Sequence, residues 1–179
     1  DRMAEHFGTR PVSGPERRGV VINVYWRNDQ CSVSLNTSGE KLSMRGYRKI
    51  PLKAPMTETL AAGVVLATGY TGEVAMVNPM CGSGTLAIEA ALIATGRAPG
   101  LLRSNYGLMH IHGFDAEAWR QMRVDEGKSR SKSKPAPIVA SDIDPRAVDA
   151  ARQNAKTAGV DHLIEFAVCD FAETPLPAA

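Results

Sequence analysis

The chain has 179 residues, 44% of them hydrophobic and 22% charged, with a formal net charge of +2. That length can bury one ordinary core with an attachment, and so small a charge permits a nucleic-acid partner without demanding one. No run of about 18 apolar residues suggests a membrane span, DRMAEHFGTR lacks a signal-peptide core, and Cys31, Cys81 and Cys169 cannot close a complete disulfide set, so the expectation is a cytoplasmic protein with no membrane partner.

Residues 1–19, rich in Pro, Gly and Arg, predict linker or coil. Residues 20–26 and 31–35 concentrate β-branched and aromatic side chains around the turn-forming 27–30, which predicts a small antiparallel hairpin. Residues 1–54 are therefore expected to form a linker and hairpin element, and 55–179 a separate domain. Pro55 is placed to open a helix over 57–68. A strand at 73–77, a helix at 84–95, a strand at 138–141, a helix at 145–158 and a strand at 163–168 follow. That alternation gives the fold class α/β, with about three parallel strands. Residues 96–137 break the pattern and read as an insertion with a helix at 116–124 and a cationic, low-complexity tip, KSRSKSKP.

The informative motif is VNPMCGSGT, between the first strand and its helix. Gly82 and Gly84 let the backbone turn tightly and a ligand approach, and the free N–H groups of the helix start favour a carboxylate or phosphate. A lone GxG is weak; the next two strand ends strengthen it. The second ends in SDIDP, placing Asp142, with Ile143 beside it, where a carboxylate can accept from both ribose hydroxyls. The third ends in CDF, where Asp170 could accept from an adenine amino group while Phe171 packs on the ring. Together these describe an adenosine site. Asp144, directly before Pro145, reads instead as a helix cap.

The run from RGYR at 45–48 through APMTETLAA, VNPMCGSGTLAIEAA, RAPGLLR, SDIDPRAVDAARQNAKTAGV and FAVCDF resembles the THUMP-associated RNA methyltransferase family. It is most similar to the bacterial branch that methylates the exocyclic amine of guanine in large-subunit ribosomal RNA. The resemblance covers nearly all of the chain after residue 20. It implies a Rossmann-like class I methyltransferase fold, S-adenosylmethionine as cofactor and ribosomal RNA as partner. It also implies that Asn78, Pro79, Cys81, Gly82, Ser83, Gly84 and Thr85 hold the methionine end, with Asp142 and Ile143 at the ribose and Asp170 and Phe171 around adenine. Asn78 stands where such motifs usually carry Asp. Its amide can accept a hydrogen bond but cannot pair ionically with the cofactor ammonium.

Amino-methyltransferases of this kind carry an Asn/Asp-Pro-Pro-Tyr/Phe segment after the fourth strand, and none is present in the sequence. The expectation is an incomplete methyltransferase domain, its cofactor half, with no catalytic residue assigned. A sheet that stops after three strands would leave the 73–77 strand open at one edge, a template for self-association.

Other candidates have structural readings. His110 and His112 lack partners at a metal-ligand spacing. Cys81 reads as a small buried thiol, having no evident base. Glu89 either orients the turn or marks an exposed helix face. The basic tract 128–134 reads as a solvated loop, and Arg45, Arg48 and Lys53 are the better RNA candidates. Competing functions are DNA adenine or protein glutamine methylation, a nicotinamide-dependent oxidoreductase, disfavoured because the acid follows only after the long insertion, and a non-catalytic RNA-binding module of the same shape.

Overall fold

The computed structural model describes residues 2–9, 19–128 and 134–177. Two compact units divide the chain: residues 1–40 with 105–114, and residues 41–104 with 115–179.

The first unit opens with a short helix, α1 (Arg2–Phe7), where coil was expected; residues 10–18 of the expected linker lie outside the described residues. Strands β1 (Val21–Arg27) and β2 (Gln30–Asn36) pair antiparallel around Asn28 and Asp29. Asn28 holds φ at +53°, a left-handed conformation that asparagine tolerates better than most side chains. The register sets Ile22 opposite Leu35, Val24 opposite Val33 and Trp26 opposite Cys31. Directly opposed residues share a face. One face of the hairpin is therefore apolar throughout, and it is exposed; Trp26 is 72% exposed.

The second unit holds a parallel sheet in the order β3-β4-β5. β4 (Ile138–Asp142) is central, and Ile138 to Ser141 are all buried. β5 (Ile164–Val168) lies on one side and β3 (Met76–Asn78) on the other. β3 is shorter and begins later than the 73–77 expected. The chain turns at Gly72, φ +94°, and the ladder starts only where Met76 N donates to Pro137 O at 3.0 Å, leaving 73–75 exposed.

Helix α2 (Glu58–Ala67) starts after Thr57, so Pro55 stands ahead of the helix and does not open it. Helix α3 (Thr85–Ala94) buries almost its whole circumference against α2 and the sheet, which is why TLAIEAALIA shows no polar face. Helix α4 (Ala116–Lys128), with Trp119 half-buried, is capped by Asp115 Oδ1, which accepts from Glu117 N and Ala118 N, and it runs on past residue 124.

Helix α5 (Pro145–Ala158) matches its predicted span. Asp144 caps it by accepting from Arg146 N at 2.9 Å, satisfying one of the helix's leading amides. Gly159 ends it in the left-handed conformation. Ala147, Ala150, Ala151, Ala155 and Ala158 are buried while Arg146, Asp149, Arg152, Gln153 and Lys156 are exposed, so a stripe of small residues lets α5 lie close to the sheet and to α3.

Candidate functional site

The glycine turn runs from the end of β3 to the start of α3 and is stitched to the end of β4. Cys81 N donates to Ser141 O at 2.8 Å, and Gly84 N to Cys81 O at 2.9 Å. Gly82 N donates to Asp142 Oδ2 at 2.9 Å, while Asp142 Oδ1 accepts from Asp144 N at 3.1 Å. The Asp142 carboxylate thus fixes the turn to its own strand end. Each of its oxygens keeps a second lone pair for a further donor. The two glycines act differently. At Gly84, φ +84°, a Cβ would sit 2.8 Å from the Cβ of Ala151, so only glycine lets the start of α3 meet α5; at Gly82, φ +53°, a Cβ would meet nothing within 4 Å.

A cavity of about 600 Å³ opens over this turn. One wall is the turn and the first residues of α3, the second is Asp142 with the start of α5, and the third is a strap of residues 52–56. The N-terminus of α3 at this cavity has no side-chain cap, and the leading N–H groups of a helix have no partner within it. Asn78 lines the cavity, and its Oδ1 is buried with no hydrogen-bond partner among the described residues. A buried acceptor without a partner is costly unless a ligand donor reaches it. An uncapped helix start for a carboxylate, an orphan acceptor for an ammonium and a strand-end carboxylate for hydroxyls fit an aminoacyl nucleoside such as S-adenosylmethionine.

Of the residues expected to hold that group, Asn78, Cys81, Gly82, Ser83, Thr85 and Asp142 line the cavity together. Pro79 and Gly84 shape the turn without lining it. Ile143 is 71% exposed and lies outside the lining, as do Asp170 and Phe171. Asp170 Oδ1 instead accepts from Ala172 N at 3.0 Å, capping a short helical turn, and Phe171 is 63% exposed. The sequence marks none of the strap residues Leu52, Ala54 and Met56 as site residues, since the segment offers neither periodicity nor chemistry; Lys53 reads only toward RNA. Burial, with Asp142 adding to it, pushes the Cys81 thiol up to about 12, so it stays protonated and is no nucleophile at neutral pH.

Beneath the turn lies a buried ionic cluster. Glu89 is 1% exposed and accepts from Tyr47 Oη at 2.8 Å, with Arg45 Nε 3.2 Å away. The exposed-face reading of Glu89 is therefore wrong. Arg48 donates from Nη2 to Met56 O and, at 2.9 Å, to Thr85 Oγ1, while its Nη1 lies 3.5 Å from Glu58. Arg45 and Arg48 are thus internal and unavailable to RNA phosphates; their basic character balances two buried glutamates. Lys53 remains exposed on the cavity rim. His110 Nε2 lies 2.7 Å from Asn105 Oδ1, with His110 itself exposed. Residues 129–133 of the basic tract lie outside the described residues.

Residues 45–178 match the RMKL-like methyltransferase domain. The chain belongs to that methyltransferase family. Among solved structures it is similar to a possible methylase from Clostridium difficile 630, at 35% identity and a TM-score of 0.81, over 98% of this chain and 46% of that one. It is also similar to SMU.472, solved in complex with SAH, at 27% identity and a TM-score of 0.80, over 99% of this chain and 46% of that one. A third is a predicted N6-adenine-specific DNA methylase from Listeria monocytogenes, at 34% identity and a TM-score of 0.78, over 87% and 40% of the two chains. The chain thus spans somewhat less than half the length of these relatives. The Rossmann-like methyltransferase fold expected from sequence is the fold observed. Among the described residues no helix is long and apolar enough to cross a membrane.

Proposed function

We propose that this methyltransferase domain binds S-adenosylmethionine in the cavity over the glycine turn and serves methylation of RNA, at the exocyclic amine of guanine in ribosomal RNA. The observation that carries the cofactor reading is the unpartnered, buried Oδ1 of Asn78 beside the uncapped start of α3. SMU.472, alike over nearly all of this chain, was solved with SAH, which supports the same reading. The cofactor, when bound, supplies an electrophilic methyl group.

This chain's own residues bind and orient. Asn78 Oδ1 accepts from the ammonium, the leading amides of α3 take the carboxylate, and Asp142 accepts from the ribose hydroxyls while keeping Gly82 N. The RNA acceptor rests on the resemblance of RGYR, APMTETLAA and the strand-end motifs to RNA-modifying methyltransferases. The Listeria neighbour, a predicted N6-adenine-specific DNA methylase, favours DNA adenine as the second reading.

Calorimetry with SAH tests the cofactor: micromolar binding by the parent, and a loss of tenfold or more in Asp142→Ala, is the expected result. Equal binding by parent and variant would refute the ribose assignment. For the acceptor, a protein joining this domain to the amine-holding segment that such enzymes carry is assayed for labelled methyl transfer to undermodified ribosomal RNA and to duplex DNA. Label recovered as methylguanine in RNA supports the reading, and label recovered as methyladenine in DNA overturns it. The domain's own RNA affinity is expected to be weak and steeply salt-dependent, since among the described residues no stacking platform accompanies its exposed cations.

A further inference from the structure

Asn154 breaks the alanine stripe of α5. It is fully buried, and the four hydrogen bonds its amide can make are all made. Oδ1 accepts from Lys49 N at 2.8 Å and Ile50 N at 3.1 Å, and Nδ2 donates to Ile50 O at 3.0 Å and Ser83 O at 3.1 Å. One side chain therefore grips the root of the strap and the glycine turn at once. These are two of the three cavity walls. The far end of the strap is pinned separately, by Arg48 between Met56 O and Thr85 Oγ1. Between the two pins, residues 51–55 span the cavity with Pro51 and Pro55, and with Ala54 held at φ +52°, a conformation side chains other than glycine and asparagine rarely adopt.

Packing alone does not ask for this. An alanine at 154 would continue the stripe, and an aspartate would keep the acceptors but turn oxygen lone pairs toward two carbonyls. We infer that Asn154, seconded by Arg48, is a positioning residue that sets the spacing between strap and glycine turn, so that an adenosine-type ligand is held between them. The inference rests on the cofactor reading above. It predicts that the strap responds to ligand while its pins do not.

Amide exchange with and without SAH tests it in the parent protein, with no need of a variant. The amides of Lys49 and Ile50 should be protected in both states, and those of Leu52, Lys53 and Ala54, between the pins, should slow by tenfold or more on SAH addition. Rapid exchange at Lys49 and Ile50, or a strap indifferent to bound SAH, overturns the inference. Asn154→Asp and Arg48→Lys, compared at a temperature where each is fully folded, should bind SAH at least tenfold more weakly. A purely structural role would lower the melting temperature and leave affinity of the folded variants unchanged. If the parent fails to bind SAH, the cofactor reading falls and this inference with it; if the parent binds and both variants bind as tightly, only the positioning role falls.

Discussion

Tyr47 Oη donates to Glu89 Oε1 at 2.8 Å across 42 residues of sequence, joining the segment ahead of the strap to the middle of the central helix. Burial raises the Glu89 carboxyl above its ordinary 4.5 and outweighs the opposing pull of Tyr47 and Arg45. With the folded value raised, the unfolded chain loses this proton first as pH climbs. Stability contributed by the neutral carboxyl is present below about 4.5 and lost as pH rises through the folded value. Glu89→Gln keeps an acceptor for Tyr47 but cannot titrate. Urea unfolding from pH 4 to 7 should show its stability gaining steadily on the parent; parallel curves would refute the assignment. Tyr47→Phe removes the donor and leaves a buried acceptor unmatched, which should cost about 1–3 kcal/mol.

The two glycines of the turn should part company on substitution. Gly84→Ala meets both an unfavourable φ and the Cβ of Ala151 at 2.8 Å, and should lose about 3 kcal/mol or more. Gly82→Ala has open space, with backbone strain as its only penalty, about 1 kcal/mol. Chemical denaturation measures both, and equal losses would mean that the close approach of α3 to α5 is wrongly placed.

Asn78→Asp replaces an orphan acceptor with a charged one. S-adenosylmethionine should bind about tenfold more tightly through an ion pair with its ammonium, roughly 1.4 kcal/mol. The ligand-free protein should melt lower at pH 7, because a desolvated carboxylate lacks its partner. Calorimetry and thermal melts run side by side check both signs. Unchanged affinity would remove the ammonium from Asn78.

Among the described residues β3 has no strand on its outer side, and Val74 just before it is 64% exposed. Self-association through this edge is expected, although a strand of three residues offers a weaker template than the 73–77 strand first foreseen. Sedimentation analysis at rising concentration should show a reversible dimer. A monomer throughout, with Met76, Val77 and Asn78 amides protected to the global limit, would show that the chain shields this edge itself.

What was legible in the sequence was local. Asp144 and Pro145 announce α5 and Gly159 ends it; the glycine turn lies where strand gives way to helix, and Asp142 falls at the strand end facing it. What escaped notice joins distant segments. Glu89 reads equally as orienting the turn or as marking an exposed helix face, because what decides between them, its partners Arg45 and Tyr47, lies more than forty positions earlier. Asn154 looks like one more polar residue of an amphipathic helix, and its strap partners are 104 and 105 positions away. The strand expected at 73–77 begins later in the structure because β-propensity says nothing of where a neighbouring ladder begins; the carbonyl of Pro137 sets that.

The protein has two tryptophans, and they fall one to each compact unit: Trp26 on the exposed face of the hairpin and Trp119 on α4. Nature has in effect supplied each unit with its own fluorophore. Replacing either indole with phenylalanine leaves a single-emitter protein, so the melting of the hairpin unit and of the methyltransferase unit can be followed one at a time by intrinsic emission, and a soluble quencher should reach Trp26 more readily than Trp119.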